Sequence, residues 1–194
     1  MADRIVRTAG HDWSQAPRGR HPFNDASEMQ MMRLGDLSGM RRVFTNLVRI
    51  PPGKESWIPH AHSVEEEMAF ILEGTGELVL DGERQAIGPG DYVGFPIDGV
   101  VHSIVNTGTG PLTYLTVGER ARVEVADMPS IGKTTVFRAG KIQMYGPDGV
   151  DEITEAEWGR RSALAPQSSS SDQPPGPGLR PARGQAPAGS GNPS

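Results

Sequence analysis

Two histidines one residue apart, His60 and His62, are followed closely by three consecutive glutamates, Glu65, Glu66 and Glu67, and a third histidine, His102, opens an apolar stretch further on. The chain has five histidines; the other two, His11 and His21, lie in polar N-terminal sequence and are given no role. With no cysteine anywhere, zinc-thiolate sites, disulfides and thiol nucleophiles are excluded, so any metal must sit on histidine and carboxylate. On a strand, residues i and i+2 share a face with α-carbons roughly 6.5 to 7 Å apart. Two such imidazoles can converge on one ion, each donating a ring nitrogen at about 2.1 Å. Strand parity carried onward from His60 and His62 points to Glu66. A break or bulge at Ser63-Val64-Glu65 would flip that parity and turn Glu67 inward with Ala69 and Ile71. Parity alone leaves both glutamates open. His-x-His on a strand and a run of acid are each common without an ion; the third histidine is what raises them to a candidate site.

The elements that must position these residues read as β-structure. MQMMRL and RRVFTNLVRI flank the turn-rich GDLSGM and form an expected hairpin. EMAFILEG, GELVLDG and RQAI follow, with Gly74 and Gly76 at one turn and Asp81-Gly82 at the next. Asp-Gly between apolar strands favours a two-residue type I′ turn, because both positions need positive φ. DYVGFP, VHSIVN and PLTYLTVG come next, then a strand pair at TTVFRAG and KIQMYG. Short strands with regular turn signals predict an all-β sandwich or barrel. A short helix is expected at TEAEWGRR, where Thr154 and Glu157 match a capping box. From Ala165 the sequence is almost wholly proline, glycine, serine and other small or polar residues, too poor in apolar groups to offset its ordering entropy. The expected organisation is a polar, loosely packed arm over 1–22, a barrel over 23–146, a helical segment over 147–164 and a disordered tail over 165–194.

The residues carry a resemblance to a known family. GKESWIPHAHSVEEEMAFILEG resembles the first motif of the cupin superfamily through Gly53, His60, His62, Glu67 and Gly74, and the six residues from Met68 to Glu73 select Glu67 over Glu66. GDYVGFPIDGVVHSIVN resembles the second motif through Gly90, Pro96, Gly99, His102 and Asn106. Two departures, six residues rather than five between Gly53 and His60 and two rather than one between Pro96 and Gly99, both fall in turns where insertions are tolerated. The resemblance covers residues 40 to 118. It implies an antiparallel jelly-roll barrel holding one divalent transition-metal ion on His60, His62, Glu67 and His102. Three imidazoles and one carboxylate suit iron, manganese, nickel, copper, cobalt or zinc alike, with two positions left open on an octahedral ion.

Around that site, Asn106 reads as a residue that satisfies the backbone of the NTGTG turn. Arg49, Asn46, Trp57 and Tyr114 are candidates for orienting a substrate. Arg49 could hold a carboxylate or enolate if its side chain faces inward, and Tyr114 could act as a general base. The expected function is a metal-dependent enzyme on a small organic molecule, with a mononuclear dioxygenase first. A redox-neutral isomerase, cyclase or lyase, or a non-catalytic ligand-binding module, is the alternative. A net charge of −5 disfavours nucleic acid, which needs a basic surface. No apolar run reaches the roughly 20 residues of a membrane span, so a cytoplasmic protein is expected. Cupin barrels resemble one another in pairing into dimers, and the apolar hairpin before Gly53 gives an expected surface for a homodimer.

Overall fold

A computed structural model describes residues 4–164; residues 1–3 and the expected tail over 165–194 lie outside the described residues. The chain begins with β1 (Arg18–Gly19), β2 (Met29–Met32), the single turn α1 (Leu34–Leu37) and β3 (Val43–Ile50). β4 (Ala61–His62), β5 (Glu67–Glu73), β6 (Gly76–Leu80), β7 (Glu83–Ile87), β8 (Tyr92–Phe95), β9 (His102–Val105) and β10 (Leu112–Glu119) follow. The last elements are β11 (Val123–Met128), β12 (Lys133–Arg138), β13 (Lys141–Gly146), β14 (Gly149–Thr154) and α2 (Glu155–Ser162).

Three antiparallel sheets result, ordered β1-β2-β3-β10-β5-β8, β7-β6-β9 and β14-β13-β12-β11-β4. The first two face each other across one core, to which the first contributes Val48, Ile50, Ala69, Ile71, Val93, Phe95, Leu112 and Tyr114, and the second Leu78, Ile87 and Ile104. This is the antiparallel jelly roll that the strand pattern and the cupin motifs predict. Alternation explains it. On β5, Glu67, Ala69 and Ile71 turn inward while Phe70 and Leu72 are exposed. Ile50, Ile71 and Leu112 have no exposed surface, and each such burial is worth about 1.5 to 3 kcal/mol.

Two turns depend on particular residues. Asp81 and Gly82 have φ of 48° and 88°, the doubly positive pair of a type I′ hairpin between β6 and β7. Gly74 has φ of 82°, and an added Cβ would stand 2.3 Å from the Pro111 carbonyl oxygen, so no other residue fits where the chain passes from one sheet to the other. Asn106, fully buried, donates to the carbonyls of Ile50 (2.8 Å) and Gly110 (2.9 Å) and accepts from the Gly108 amide (3.0 Å). It is a structural brace for its turn.

Three features differ from the sequence expectation. The N-terminal segment is packed from Trp13 onward: β1 pairs with β2, and His21 is only 2% exposed. Its ring meets Trp57, Trp158 and Phe23 at centroid distances of 5.7, 5.2 and 5.9 Å, which ties the N-terminal segment to the core and to α2. Two further strands lie outside the expectation: β11, and β14 before α2, in which only Ile153 is buried, so that no alternating pattern betrays it. At α2 the Thr154 hydroxyl accepts the Glu157 amide at 3.1 Å, but the Glu157 carboxylate bonds Arg161 instead of reaching back to close the box.

Burial pulls the His21 pKa down from its ordinary 6.5 to about 4. Between those values the unfolded chain binds a proton that the folded chain does not, so stability is full above pH 6.5 and falls as pH drops toward 4. The expected loss is at most about 3 kcal/mol. Urea unfolding of the wild type from pH 7 to pH 4 measures it, and His21→Gln removes this share of the slope; equal slopes in the two proteins contradict it.

Candidate metal centre

His62 lies on β4 and His102 on β9, and His60 immediately precedes β4. An isolated antiparallel bridge joins His60 to His102: the His60 amide donates to the His102 carbonyl (3.2 Å) and the His102 amide to the His60 carbonyl (2.9 Å). This reciprocal pair sets two imidazoles opposite each other across two sheets. After His62 the strand stops: Ser63 and Val64 bend, and β5 starts afresh at Glu67. The parity change is therefore a full break in the strand. Glu66 is exposed, and the Glu67 Oε2 lies 3.3 Å from the His62 Nε2.

The orientation of each ring is fixed from behind. The His60 Nδ1 lies 2.8 Å from the Ile58 carbonyl and the His102 Nδ1 3.3 Å from the Val100 carbonyl. A carbonyl can only accept, so both Nδ1 atoms carry the proton, and in the neutral rings both Nε2 lone pairs face forward. The His62 Nδ1 is held at 3.1 Å by Glu124. In front, the His60 and His62 Nε2 atoms are 3.2 Å apart. Ligand atoms at about 2.1 Å from one ion and at right angles to each other stand about 3 Å apart. The ligand atoms of the three histidines all lie within 4.8 Å of one another, and the buried His102 Nε2 has no hydrogen-bond partner. This donor set fits a divalent transition-metal ion.

Charge points the same way. Burial, and after it His102 and His62, pulls His60 down to about 3, and burial lowers His102 as well. Burial also acts to lower His62, but Glu124 and Glu67 outweigh it and raise the ring to about 9. Burial acts to raise Glu67, yet hydrogen bonds from His62 and Thr116 hold it below its ordinary value. The raised pKa of His62 marks a place that favours positive charge, which a divalent cation held by neutral imidazoles would also supply. The Thr116 hydroxyl bonds Glu67 and lies 3.0 Å from the Met68 carbonyl, and Phe95 stacks on His102 at 4.1 Å.

The remaining candidates divide. Tyr114 is buried on the inward face of β10, and burial, then Glu67, raises its pKa, so the phenol stays protonated; this argues against the general-base role. Asn46 pairs with Thr116 and so shares its inward face. Arg49 does not face the site: it pairs with Thr113 and Gln30 on the outer face, and its guanidinium lies 5.4 Å over the Trp13 ring. Strand parity relative to the buried Val48 and Ile50 is the reason. Trp57 packs against the main core and His21. Glu65, expected near solvent, is half-buried; it accepts the Ala121 amide at 2.8 Å, and burial raises its pKa.

Glu124 lies outside both motifs and is not among the residues they mark. The signal was there: it shares strand parity with the buried Ala126 and Met128, an apolar face on which a carboxylate needs a partner.

Residues 46–118 match the family described as Cupin domain. A solved structure titled a putative sugar phosphate isomerase, from Acidithiobacillus ferrooxidans, is 33% identical; the match covers 74% of this chain and 86% of that one, with a TM-score of 0.62. The chain belongs to the cupin superfamily. A second solved structure, described as a sugar phosphate isomerase from a cupin superfamily, of Silicibacter pomeroyi, is 28% identical over 75% of this chain and 92% of that one, with a TM-score of 0.57. Among curated relatives, an uncharacterised protein of Methanocaldococcus jannaschii is 36% identical over 66 residues, covering 34% of this chain and 51% of its own. One from Aquifex aeolicus is 39% identical over 54 residues, 28% of this chain and 44% of its own. The chain thus spans about half the length of the curated relatives it matches. Among the described residues of this cupin, no helix is long and apolar enough to cross a membrane.

The outward position of Arg49 has a testable consequence for the cupin. Arg49→Ala is expected to lower stability by about 0.5 to 1 kcal/mol through the lost contact with Trp13, and to leave metal content unchanged. Metal analysis and urea unfolding of the variant check both parts, and a loss of metal would return Arg49 to the site.

Proposed function

We propose that this cupin is a metal-dependent enzyme acting on a small hydroxylated or carbonyl compound by a redox-neutral route, with His60, His62, Glu67 and His102 holding one divalent transition-metal ion. The observation that carries the reading is the set of three imidazoles, each tied at Nδ1 to an acceptor, with ligand atoms within 4.8 Å of one another and the Glu67 Oε2 3.3 Å from the His62 Nε2. Two similar structures, described as a putative sugar phosphate isomerase and as a sugar phosphate isomerase, favour isomerisation of a phosphorylated sugar within this class. When bound, the ion would supply Lewis-acid polarisation of a carbonyl or enediol oxygen. The chain's own residues do the rest. Thr116 fixes the direction of Glu67, and Phe95, part of the apolar core with Val48, Ile71 and Ile104, holds the plane of His102. Tyr114, kept protonated on the inward face, is a candidate hydrogen-bond donor for a substrate oxygen, and Asn46 shares the inward face of the neighbouring strand.

The same ligand set also serves a mononuclear dioxygenase, with substrate and oxygen in the two open positions, and the two readings part on oxygen. The protein purified without a histidine tag is expected to carry about one metal ion per chain, and His60→Ala and His102→Ala to lose it. Unchanged metal content in both variants would sink the site assignment. Reconstituted with Zn(II) or Mn(II) and kept anaerobic, the wild type is expected to interconvert a sugar phosphate. Turnover confined to Fe(II) with matching oxygen uptake selects the dioxygenase, and stoichiometric metal without turnover on either panel selects a non-catalytic binding module.

We also propose a cytoplasmic homodimer, with a different contact from the one expected. The hairpin before Gly53 has its edge covered, since β1 pairs with β2 there. The outer face of the six-stranded sheet instead carries exposed Phe70, Leu72 and Tyr92. Light scattering is expected to give a dimer for the wild type and a monomer for Phe70→Asp; a monomeric wild type rejects the pairing.

A further inference from the structure

We infer that Glu124 is a positioning residue for the metal centre: it accepts the proton of His62 Nδ1 and fixes the ring with Nε2 toward the ion. The inference rests on the proposed metal site and concerns a residue outside its ligands. Glu124 is 6% exposed, and its Oε1 lies 3.1 Å from His62 Nδ1. Among the described residues its other oxygen, Oε2, has no hydrogen-bond partner, and His62 is the partner of Oε1.

The backbone explains the fit. β4 is only two residues long, and β11 is its sole neighbour in the sheet, through Ala126 opposite His62 and Asp127 opposite Ala61, with the Ser63 amide donating to the Val125 carbonyl at 2.9 Å. Glu124 stands two residues from Ala126 and therefore on the same face as His62. His60 and His102 are oriented by carbonyls two residues upstream in their own segments, so their geometry is local. His62 has no such acceptor and is oriented from a strand more than sixty residues away in sequence, |i−j| = 62. Carboxylate–imidazole–metal relays of this kind raise ligand basicity and restrict the ring to one tautomer. Glu65, whose carboxylate is within 4.8 Å of the ligand atoms of His62 and Glu124, is bonded to the Ala121 amide and does not displace Glu124 from Nδ1.

Glu124→Gln keeps the shape and an accepting oxygen but removes the charge, and Glu124→Asp keeps the charge at a shorter reach. Titrating each full-length protein with Zn(II) against a competing chelator is expected to show affinity about 10- to 100-fold lower in Glu124→Gln, with Glu124→Asp between it and the wild type. Nitrogen-15 spectra of the Zn(II)-loaded wild type are expected to show His62 protonated at Nδ1 and metal-bound at Nε2; this second readout does not depend on a variant folding. Wild-type affinity and an unchanged Co(II) absorption spectrum in Glu124→Gln overturn the role of Glu124 while leaving the metal site standing. So does coordination of His62 through Nδ1. A wild type that takes up neither Zn(II) nor Co(II) overturns the metal site itself.

Discussion

The reciprocal hydrogen-bond pair between the backbones of His60 and His102 is the constraint on which the centre depends. It joins two stretches that belong to different sheets and are separated in sequence by the whole run from β5 to β8. Residues facing each other across such a pair have α-carbons about 5.5 Å apart, a spacing that lets two imidazoles meet without stretching either chain. The rest of the barrel can be understood as what holds that bridge in register. Ser56 accepts the Ile104 amide at 3.0 Å and donates its own to the Ile104 carbonyl at 2.8 Å, so the strand carrying His102 is clamped just beyond the bridge. Asp81 accepts the Val101 amide at 2.9 Å and clamps it just before.

A bridge between backbones sets distance but not charge. Two carboxylates, Glu67 and Glu124, are brought beside three imidazoles, and burial acts against the charged forms of Glu67, His60 and His62. Leaving one charge of a buried pair without its partner costs several kcal/mol. The cluster tolerates its acids through His62, which stands between both. A divalent ion would replace the proton that His62 otherwise retains, and binding free energy would then add to folding free energy. The site and the stability of the interior are linked for this reason, and the linkage falls most heavily on β4, whose two residues have little hydrogen bonding of their own.

Much of this was legible in the sequence because the decisive signals were local. His-x-His, Asp81-Gly82, Gly74 and the alternation of Ala69 and Ile71 each announce their geometry within a few residues, and the two motifs together give the barrel. Asn106 was readable for the same reason, since it braces its own turn. Other features were hidden because they are set by packing at a distance. The inward or outward sense of Arg49 depends on register with β10 and β2. His21 looks like a polar arm residue until Trp57 and Trp158 enclose it. β14 carries Asp151 and Glu152 on a nearly fully exposed strand, so no alternation marks it. Glu124 was concealed by distance, although its parity with Ala126 and Met128 was on view.

The cupin match ends at residue 118, whereas the acceptor for His62 lies on β11, beyond it. The matched region therefore contains all four proposed ligands and the barrel that brings them together, but not the group that orients one of them. The five-stranded sheet is thus more than an appendage packed against a finished barrel. It takes β4 as its own edge strand, and with β4 it takes His62. A shorter chain ending at the barrel would keep His60 and His102, whose Nδ1 acceptors are local, and would leave the third imidazole to find its orientation from solvent. The ring that most needs a fixed tautomer, because its Nε2 faces both Glu67 and His60, is the one whose support the chain builds from its C-terminal strands.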